Sequence, residues 1–158
     1  MRNTVLLFAL LVTTIYGCKQ DKVAYADYNN EVVNEVKSAD STIRQLFTFK
    51  DFEAYPTVMG NYTSAFENIN SNLKAIEAPG KDDSLRLAAI DLTTIYEEIA
   101  RQDFNTIYQL MHDSIYTPAD SIKVDSLSDI MYSKWQIASE KFATIQQDFG
   151  AKYKISLE

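Results

Sequence analysis

The chain has 158 residues, enough for one domain with its own hydrophobic core. Ten tyrosines and eight phenylalanines against four glycines and three prolines argue against disorder, and against an all-β fold with its frequent turns. The formal net charge of −7 argues against a nucleic-acid binder, which needs a basic surface to neutralise phosphates. Anionic lipid headgroups also repel an acidic surface, so we expect membrane contact to come from an anchor.

The N-terminus resembles a secretory leader that ends at the only cysteine. Arg2 and the free amine precede an unbroken apolar run over residues 5–12. This run is too short to span a bilayer comfortably and is typical of a signal peptide. Residues 15–18 read Ile-Tyr-Gly-Cys and resemble the lipobox of bacterial lipoproteins, in which a small residue precedes the cysteine that receives a diacylglyceryl group.

We therefore expect residues 1–17 to be cleaved as a lipoprotein signal peptide and Cys18 to be lipidated. Gly17 is the small residue that the peptidase needs, whereas Tyr16 stands where a small residue is more usual. An ordinary signal peptide with an incidental cysteine, or an uncleaved anchor, is the alternative. A single cysteine allows neither an intramolecular disulfide nor a cysteine-based zinc site, which leaves lipidation as the best explanation of Cys18.

The residues after the cysteine bear on localisation. With Cys18, the polar residues 19–22 form a predicted spacer that reaches little more than ~10 Å if extended, so the following domain should lie close to the membrane. Aspartate, the best-known inner-membrane retention signal, is absent directly after the cysteine. We expect an anchor in the outer membrane, facing the periplasm or the cell surface, rather than in the inner membrane.

Two amphipathic helices are predicted in the first half of the domain, which spans residues 23–158. The first covers residues 23–49, with apolar side chains at gaps of three and four: Tyr25, Tyr28, Val32, Val36, Ala39, Ile43, Leu46 and Phe47. A turn at residues 51–56 leads into the second helix, and Pro79-Gly80 ends it. Its apolar face consists of Val58, Tyr62, Phe66, Ile69, Leu73 and Ile76.

Two further helices follow. The third begins at Asp82 or Asp83, and its stripe becomes polar around Gln102 and Asp103, so we expect a bend or a polar spot on the inner face there. Its apolar positions are Leu85, Ala88, Ala89, Leu92, Ile95, Tyr96, Ile99, Ile107 and Leu110, with Phe104 out of phase. The fourth begins at Thr117-Pro118, with Asp120 at the capping-box position and Gly150 as the expected C-cap. Its stripe comprises Leu127, Met131, Trp135, Ala138, Phe142, Ile145 and Phe149.

Four long amphipathic helices with short links predict an all-α, antiparallel up-down four-helix bundle. This layout resembles a family of uncharacterised helical-bundle lipoproteins from bacteroidete and related bacteria. The resemblance covers most of the chain and rests on the lipobox, on residues 73–79 (Leu-Lys-Ala-Ile-Glu-Ala-Pro) and on residues 88–90 (Ala-Ala-Ile). It implies the architecture and transfers no activity.

No catalytic, metal-binding or cofactor-binding motif is visible. His112 is the only histidine, whereas carboxylate-histidine metal sites in bundles need Glu-x-x-His on two helices. Acidic pairs such as Asp82-Asp83 and Glu97-Glu98 lack the loop pattern of calcium sites, and we interpret them as solvated helix surface. The serines have no Gly-x-Ser-x-Gly elbow, and no glycine-rich phosphate loop occurs.

The tyrosines are the remaining candidates, because they occur on all four predicted helices. They either line a groove for a small molecule or peptide, or belong to the core with their hydroxyls at its rim. The groove candidates are Tyr25, Tyr28, Tyr62, Tyr96 and Tyr132. We expect a lipid-anchored structural or protein-interaction module that has an envelope protein as partner and is not an enzyme, with the tyrosine-lined ligand binder as the alternative.

Overall fold

The computed structural model describes the backbone of residues 2–49, 54–112 and 115–157. Side chains are described over the same ranges from Lys22 onward, except Pro56. The predicted turn at residues 51–56 therefore lies largely outside the described residues, as does the side chain of Cys18.

The architecture is an all-α, antiparallel up-down four-helix bundle, as the sequence predicts. Its elements are α1 Arg2–Phe47, α2 Tyr55–Ala75, α3 Ser84–Glu98, a π-helical segment Ile99–Phe104, α4 Asn105–Met111 and α5 Pro118–Tyr153. The π-helical segment joins α3 to α4 without a break, so these three elements form one continuous third helix.

Polar contacts between helices establish the antiparallel order. Asn72, three residues before the end of α2, donates a hydrogen bond at 3.3 Å to Glu35, which lies twelve residues before the end of α1. Ion pairs also join α5 to the third helix and to the residue two positions before it, and in each a later residue of one pairs with an earlier residue of the other: Asp82 with Lys152, Asp91 with Lys141 and Asp103 with Lys134. The third helix also packs against α1 and α2 and is therefore the central element of the bundle.

The predicted apolar faces form the core. The largest fully buried side chains come from every helix of the bundle: Val32, Ile43, Leu46, Phe66, Leu73, Leu85, Tyr96, Ile99 and Phe149. A polar contact is enclosed with them, because the buried hydroxyl of Thr93 donates to the side-chain oxygen of Asn70 between α3 and α2. Buried polar groups that are satisfied in this way fix how two helices pack together.

The π-helical segment explains why Phe104 is out of phase in the sequence. On a regular α-helix, Phe104 would lie about 100° away from the face that Leu85 and Tyr96 share. A π-helical turn holds about one residue more than an α-helical turn. This extra residue returns Phe104 to the buried face. Phe104 is only 5% exposed as a result. The sequence located the irregularity but did not identify it as a wide turn.

The predicted polar spot also lies in this segment. Asp103 projects toward α5 and accepts hydrogen bonds from Lys134 Nζ at 2.9 and 3.1 Å. Gln102, by contrast, is exposed.

The start of α5 follows the sequence prediction. Thr117 is the N-cap residue, and its hydroxyl accepts a hydrogen bond from the Asp120 N–H at 3.3 Å. In return, the Asp120 carboxylate accepts from the Thr117 N–H at 3.0 Å. This reciprocal pair is a capping box and satisfies two backbone donors that a helix start leaves open.

The predicted cap at Gly150 is wrong, because α5 continues to Tyr153 and ends at Lys154 in the left-handed region, with φ 54°. The Lys154 N–H bonds to the Ala151 carbonyl and the Ile155 N–H to the Gly150 carbonyl, which is a Schellman motif. Buried Ile155 then turns the tail back onto the helix. Gly150 leaves room for this tail, since a Cβ there would lie 2.9 Å from the Leu157 side chain.

The beginning of the domain differs from the expected extended spacer. The backbone of residues 18–22 belongs to α1, which the sequence analysis begins only at residue 23. A helix rises ~1.5 Å per residue, less than half the reach of an extended chain. This geometry brings the bundle closer to residue 18 than an extended spacer would.

We predict that Lys154→Gly raises the free energy of unfolding by about 0.5 kcal/mol, because glycine adopts the left-handed conformation without a Cβ clash. Lys154→Ala is the matched control: it removes the same charge, keeps the Cβ and should bring no such gain. Denaturant unfolding of the three proteins measures the difference. Equal stability of the glycine and alanine variants would contradict the role assigned to residue 154.

Candidate functional site

The five candidate tyrosines are spread over the bundle and do not share one groove. Tyr25 and Tyr28 lie where α1 meets the end of α5, with ring centroids 6.0 and 5.7 Å from that of Phe149. Tyr132 lies toward the other end of the α1–α5 contact, with its ring centroid 4.8 Å from that of Phe47. Tyr62 is half-buried on α2.

Tyr96 lies at the centre of the bundle and joins three helices. Its ring is fully buried, and its hydroxyl donates to Asp40 of α1 at 2.6 Å. The same hydroxyl lies 2.8 Å from the Ser139 hydroxyl of α5. Burial, reinforced by the Asp40 carboxylate, raises the pKa of Tyr96 above its ordinary value, so the phenol stays neutral.

Tyr28 has a comparable structural role at the end of the bundle where residues 82–86 lie. Its hydroxyl donates to Asp83 at 3.2 Å and accepts from the Arg86 N–H at 3.2 Å. Burial is the main reason that the pKa of Tyr28 rises to about 12. Both hydrogen-bonding capacities of this phenol are used within the protein, as expected of a core tyrosine.

The acidic pair Asp82-Asp83 holds the α2–α3 connection against its neighbours. Asp82 accepts hydrogen bonds from Lys152 Nζ at 2.7 Å and from the Tyr153 hydroxyl at 2.9 Å, both at the end of α5. The Lys152 hydrogen bond is the main reason that the pKa of Asp82 lies well below its ordinary value. Asp83 forms an ion pair with Arg86. The pair that the sequence analysis treats as solvated surface therefore links the bundle.

His112 is exposed just after α4 and stacks on Tyr108, with ring centroids 4.2 Å apart. Within the described residues, no group of three or more histidine, cysteine, aspartate or glutamate side chains is arranged to hold a metal ion.

Three surface clefts are candidates for binding. The first, about 650 Å³, lies at the α2–α3 connection and carries Lys74, Lys81 and Arg86 beside Glu77 and Asp83. The second, about 330 Å³, lies between the start of α3 and the end of α5. The third, about 560 Å³, lies between α4 and α5, and its lining is mainly apolar: Thr106, Leu110, Ile122, Lys123, Ser126 and Leu127. None of the five candidate tyrosines lines any of these clefts.

Exposed apolar side chains concentrate between the end of α4 and the middle of α5. Of the nine large hydrophobic residues that are exposed in the described part of the chain, seven lie between Met111 and Ile137. They are Met111, Ile115, Tyr116, Ile122, Ile130, Tyr132 and Ile137. Large apolar patches on a soluble surface mark interaction sites more often than single exposed residues do.

The three α5 isoleucines of this set do not belong to any apolar stripe predicted from the sequence. Ile122, Ile130 and Ile137 lie on α5 but outside its core stripe of Leu127, Met131 and the later residues. Their spacings of eight and seven residues are themselves helical. A second apolar line on one helix is the signal that would have revealed them.

No family model, curated protein or solved structure matches this chain. Within the described residues, none of the helices is both long and apolar enough to cross a membrane.

We predict that Tyr96→Phe lowers the free energy of unfolding by ~1–2 kcal/mol, because it leaves Asp40 and Ser139 without this buried partner. Tyr55→Phe is the matched control, since it also removes one buried phenol oxygen. The Tyr55 hydroxyl has no hydrogen-bond partner among the described residues. Denaturant unfolding should show little or no loss for Tyr55→Phe, and equal losses would contradict the role of Tyr96.

Proposed function

We propose that this chain is an exported lipoprotein, anchored in the cell envelope through Cys18, whose helical bundle acts as a protein-interaction module. The anchor rests on the sequence: an apolar run over residues 5–12, followed by Ile-Tyr-Gly-Cys at residues 15–18. Two or more acyl chains on Cys18 would hold the protein in the bilayer permanently. The outer membrane is the proposed location, on its periplasmic or surface-exposed side.

The interaction role rests on the surface between Met111 and Ile137. Large side chains of α1, α2, the third helix and α5 fill the core, and the three clefts open at the surface rather than between the candidate tyrosines. A core of large buried side chains combined with exposed isoleucines favours a binding surface for protein over an internal ligand cavity. This observation supports the module over the alternative of a tyrosine-lined ligand binder.

The position of that surface agrees with an anchored module. At ~1.5 Å per residue, the helix from Cys18 to Phe47 spans about 40 Å. Phe47 contacts Tyr132 and Trp135, so this part of α5 lies far from the proposed anchor. An apolar surface so far from the bilayer is available to proteins of the envelope and not to lipid. The proposal includes no catalytic activity.

Membership of the bacteroidete family of helical-bundle lipoproteins is part of the same proposal. It is supported by the lipobox together with the four-helix architecture. Neither the lipobox nor the four-helix architecture is specific to this family, so lipidation is the property to test first.

We predict that the full chain, expressed in a diderm bacterium, incorporates labelled fatty acid and loses residues 1–17 by cleavage. Cys18→Ala should accumulate as a longer, unlabelled precursor, because the thiol that accepts the diacylglyceryl group is missing. Gln20→Ala is the control, since it changes a nearby residue and keeps the thiol. Fatty-acid labelling and intact mass measure both properties.

Labelled Cys18→Ala would show that lipid is attached elsewhere. An unlabelled wild-type chain would show that residues 15–18 are not a lipobox in that host. Either result overturns the anchor.

A further inference from the structure

The outward face of α5 carries an apolar stripe that packs against nothing within the described chain. The exposed fractions of Ile122, Ile130 and Ile137 are 70%, 48% and 64%. At 3.6 residues per turn, these three side chains fall within about 80° of one another, on the side of α5 away from the core residue Met131. Ser126 and Ser133 lie between them on the same face. We call these five residues the α5 stripe.

Charges of opposite sign flank the α5 stripe. Helical geometry puts Asp125 and Asp129 on one side, and Lys134 and Lys141 on the other. Both aspartates are exposed and form no ion pair with any described residue. The two lysines form ion pairs with carboxylates of the third helix: Lys134 Nζ lies 2.9 Å from Asp103, and Lys141 Nζ lies 3.2 Å from Asp91.

We propose that the α5 stripe binds the α5 stripe of a second copy of this chain, with the two helices parallel. Parallel helices related by a two-fold axis place the acidic flank of one copy beside the lysine flank of the other. An antiparallel pair would instead put the aspartates of both copies together, and likewise the lysines. The charge pattern therefore selects one orientation of a self-complementary face.

The isoleucines support the same arrangement. Ile130 and Ile137 are seven residues apart and occupy equivalent positions of a heptad; at the a position of parallel helices, β-branched residues favour a two-stranded assembly. The Ser126 and Ser133 side chains are small enough to let the helices approach. Asp129 lies five residues before Lys134, which is the offset at which flanking charges of parallel helices meet.

The size of the α5 stripe requires the lipid anchor, so this inference rests on the proposed function. From Ile122 to Ile137 the stripe is about 22 Å long, and it buries a few hundred Å² per copy, short of the ~800 Å² per partner of stable complexes. Anchoring two copies in one leaflet confines them and raises their effective concentration. It also sets both α5 helices in the same direction relative to the bilayer, as the parallel pair needs.

A disulfide at residue 137 tests this pairing in the full, lipidated chain. Ile137→Cys supplies the only free thiol when Cys18 carries lipid. Parallel pairing places residue 137 beside its own counterpart, whereas antiparallel pairing places it about 22 Å away. Mild oxidation of intact cells should therefore give a disulfide-linked homodimer on a non-reducing gel, several-fold more than with Leu87→Cys.

Leu87 is the matched control because it is a comparably exposed apolar residue, on α3 and outside the α5 stripe. A second variant, Ile130→Glu added to Ile137→Cys, should abolish the cross-link while retaining the helical circular dichroism of the parent. Detergent extraction and dilution should also reduce the cross-link, since they separate copies that share a membrane.

Fatty-acid labelling of the same samples separates the two proposals. A labelled Ile137→Cys chain that forms no more dimer than Leu87→Cys overturns the pairing and leaves the anchor intact. Cross-linking only to other proteins also overturns the pairing, because a second copy is then not the partner. An unlabelled chain overturns the anchor and, with it, the pairing that depends on it.

Discussion

The bundle depends on one continuous buried face along the third helix. This helix packs against α1, α2 and α5, whereas α1 and α5 touch each other less. A regular α-helix would carry Phe104, at the end of the π-helical segment, about 100° away from the face that Leu85 and Tyr96 share. The wide turn at Ile99–Phe104 corrects this rotation, so Tyr96 and Phe104 lie on the same side of one long helix.

Polar contacts then fix how the other helices lie on this face. The Tyr96 hydroxyl reaches both Asp40 and Ser139, and the side chain of Asn70 binds Thr93. Hydrophobic burial provides most of the driving force but is non-directional, whereas buried hydrogen bonds need particular partners. Tyr28 and Tyr96, two of the tyrosines considered as a ligand groove, are thus better understood as groups that position the helices.

The outer face of α5 carries apolar side chains that the core of the bundle does not account for. Three isoleucines there do not contribute to the core. The solvent-facing side of an amphipathic helix normally carries polar and charged residues instead. This face, the charges beside it and the leader predicted before Cys18 are the basis for the proposal of an anchored protein that binds a second copy of itself. The small size of the interface is compatible with a contact that forms only between anchored neighbours.

Much of this fold follows from the sequence, because burial imposes a period on each helix. Val32, Phe66, Leu92 and Met131 lie on the faces that their spacing predicts. The end of α5 at Lys154, rather than at the predicted cap Gly150, was not predictable. It depends on the C-terminal tail folding back so that Leu157 packs near residue 150. The tyrosines show the same limit: their positions on helices follow from spacing, but which of them meet depends on how the helices pack.

The most direct test of this account is a pair of single-residue deletions in the third helix, each at an exposed position. Deleting Gln102 removes one residue from the wide turn, which can then become an ordinary α-helical turn while Phe104 and Ile107 keep their buried positions. Deleting Thr94, in the regular part of α3, rotates everything beyond it by about 100°. The account predicts a cooperative unfolding transition and most of the stability for the Gln102 deletion, and loss of the folded state for the Thr94 deletion, both followed by circular dichroism during denaturant unfolding. Equal damage from both deletions would contradict the claim that the wide turn brings the two parts of the helix into phase.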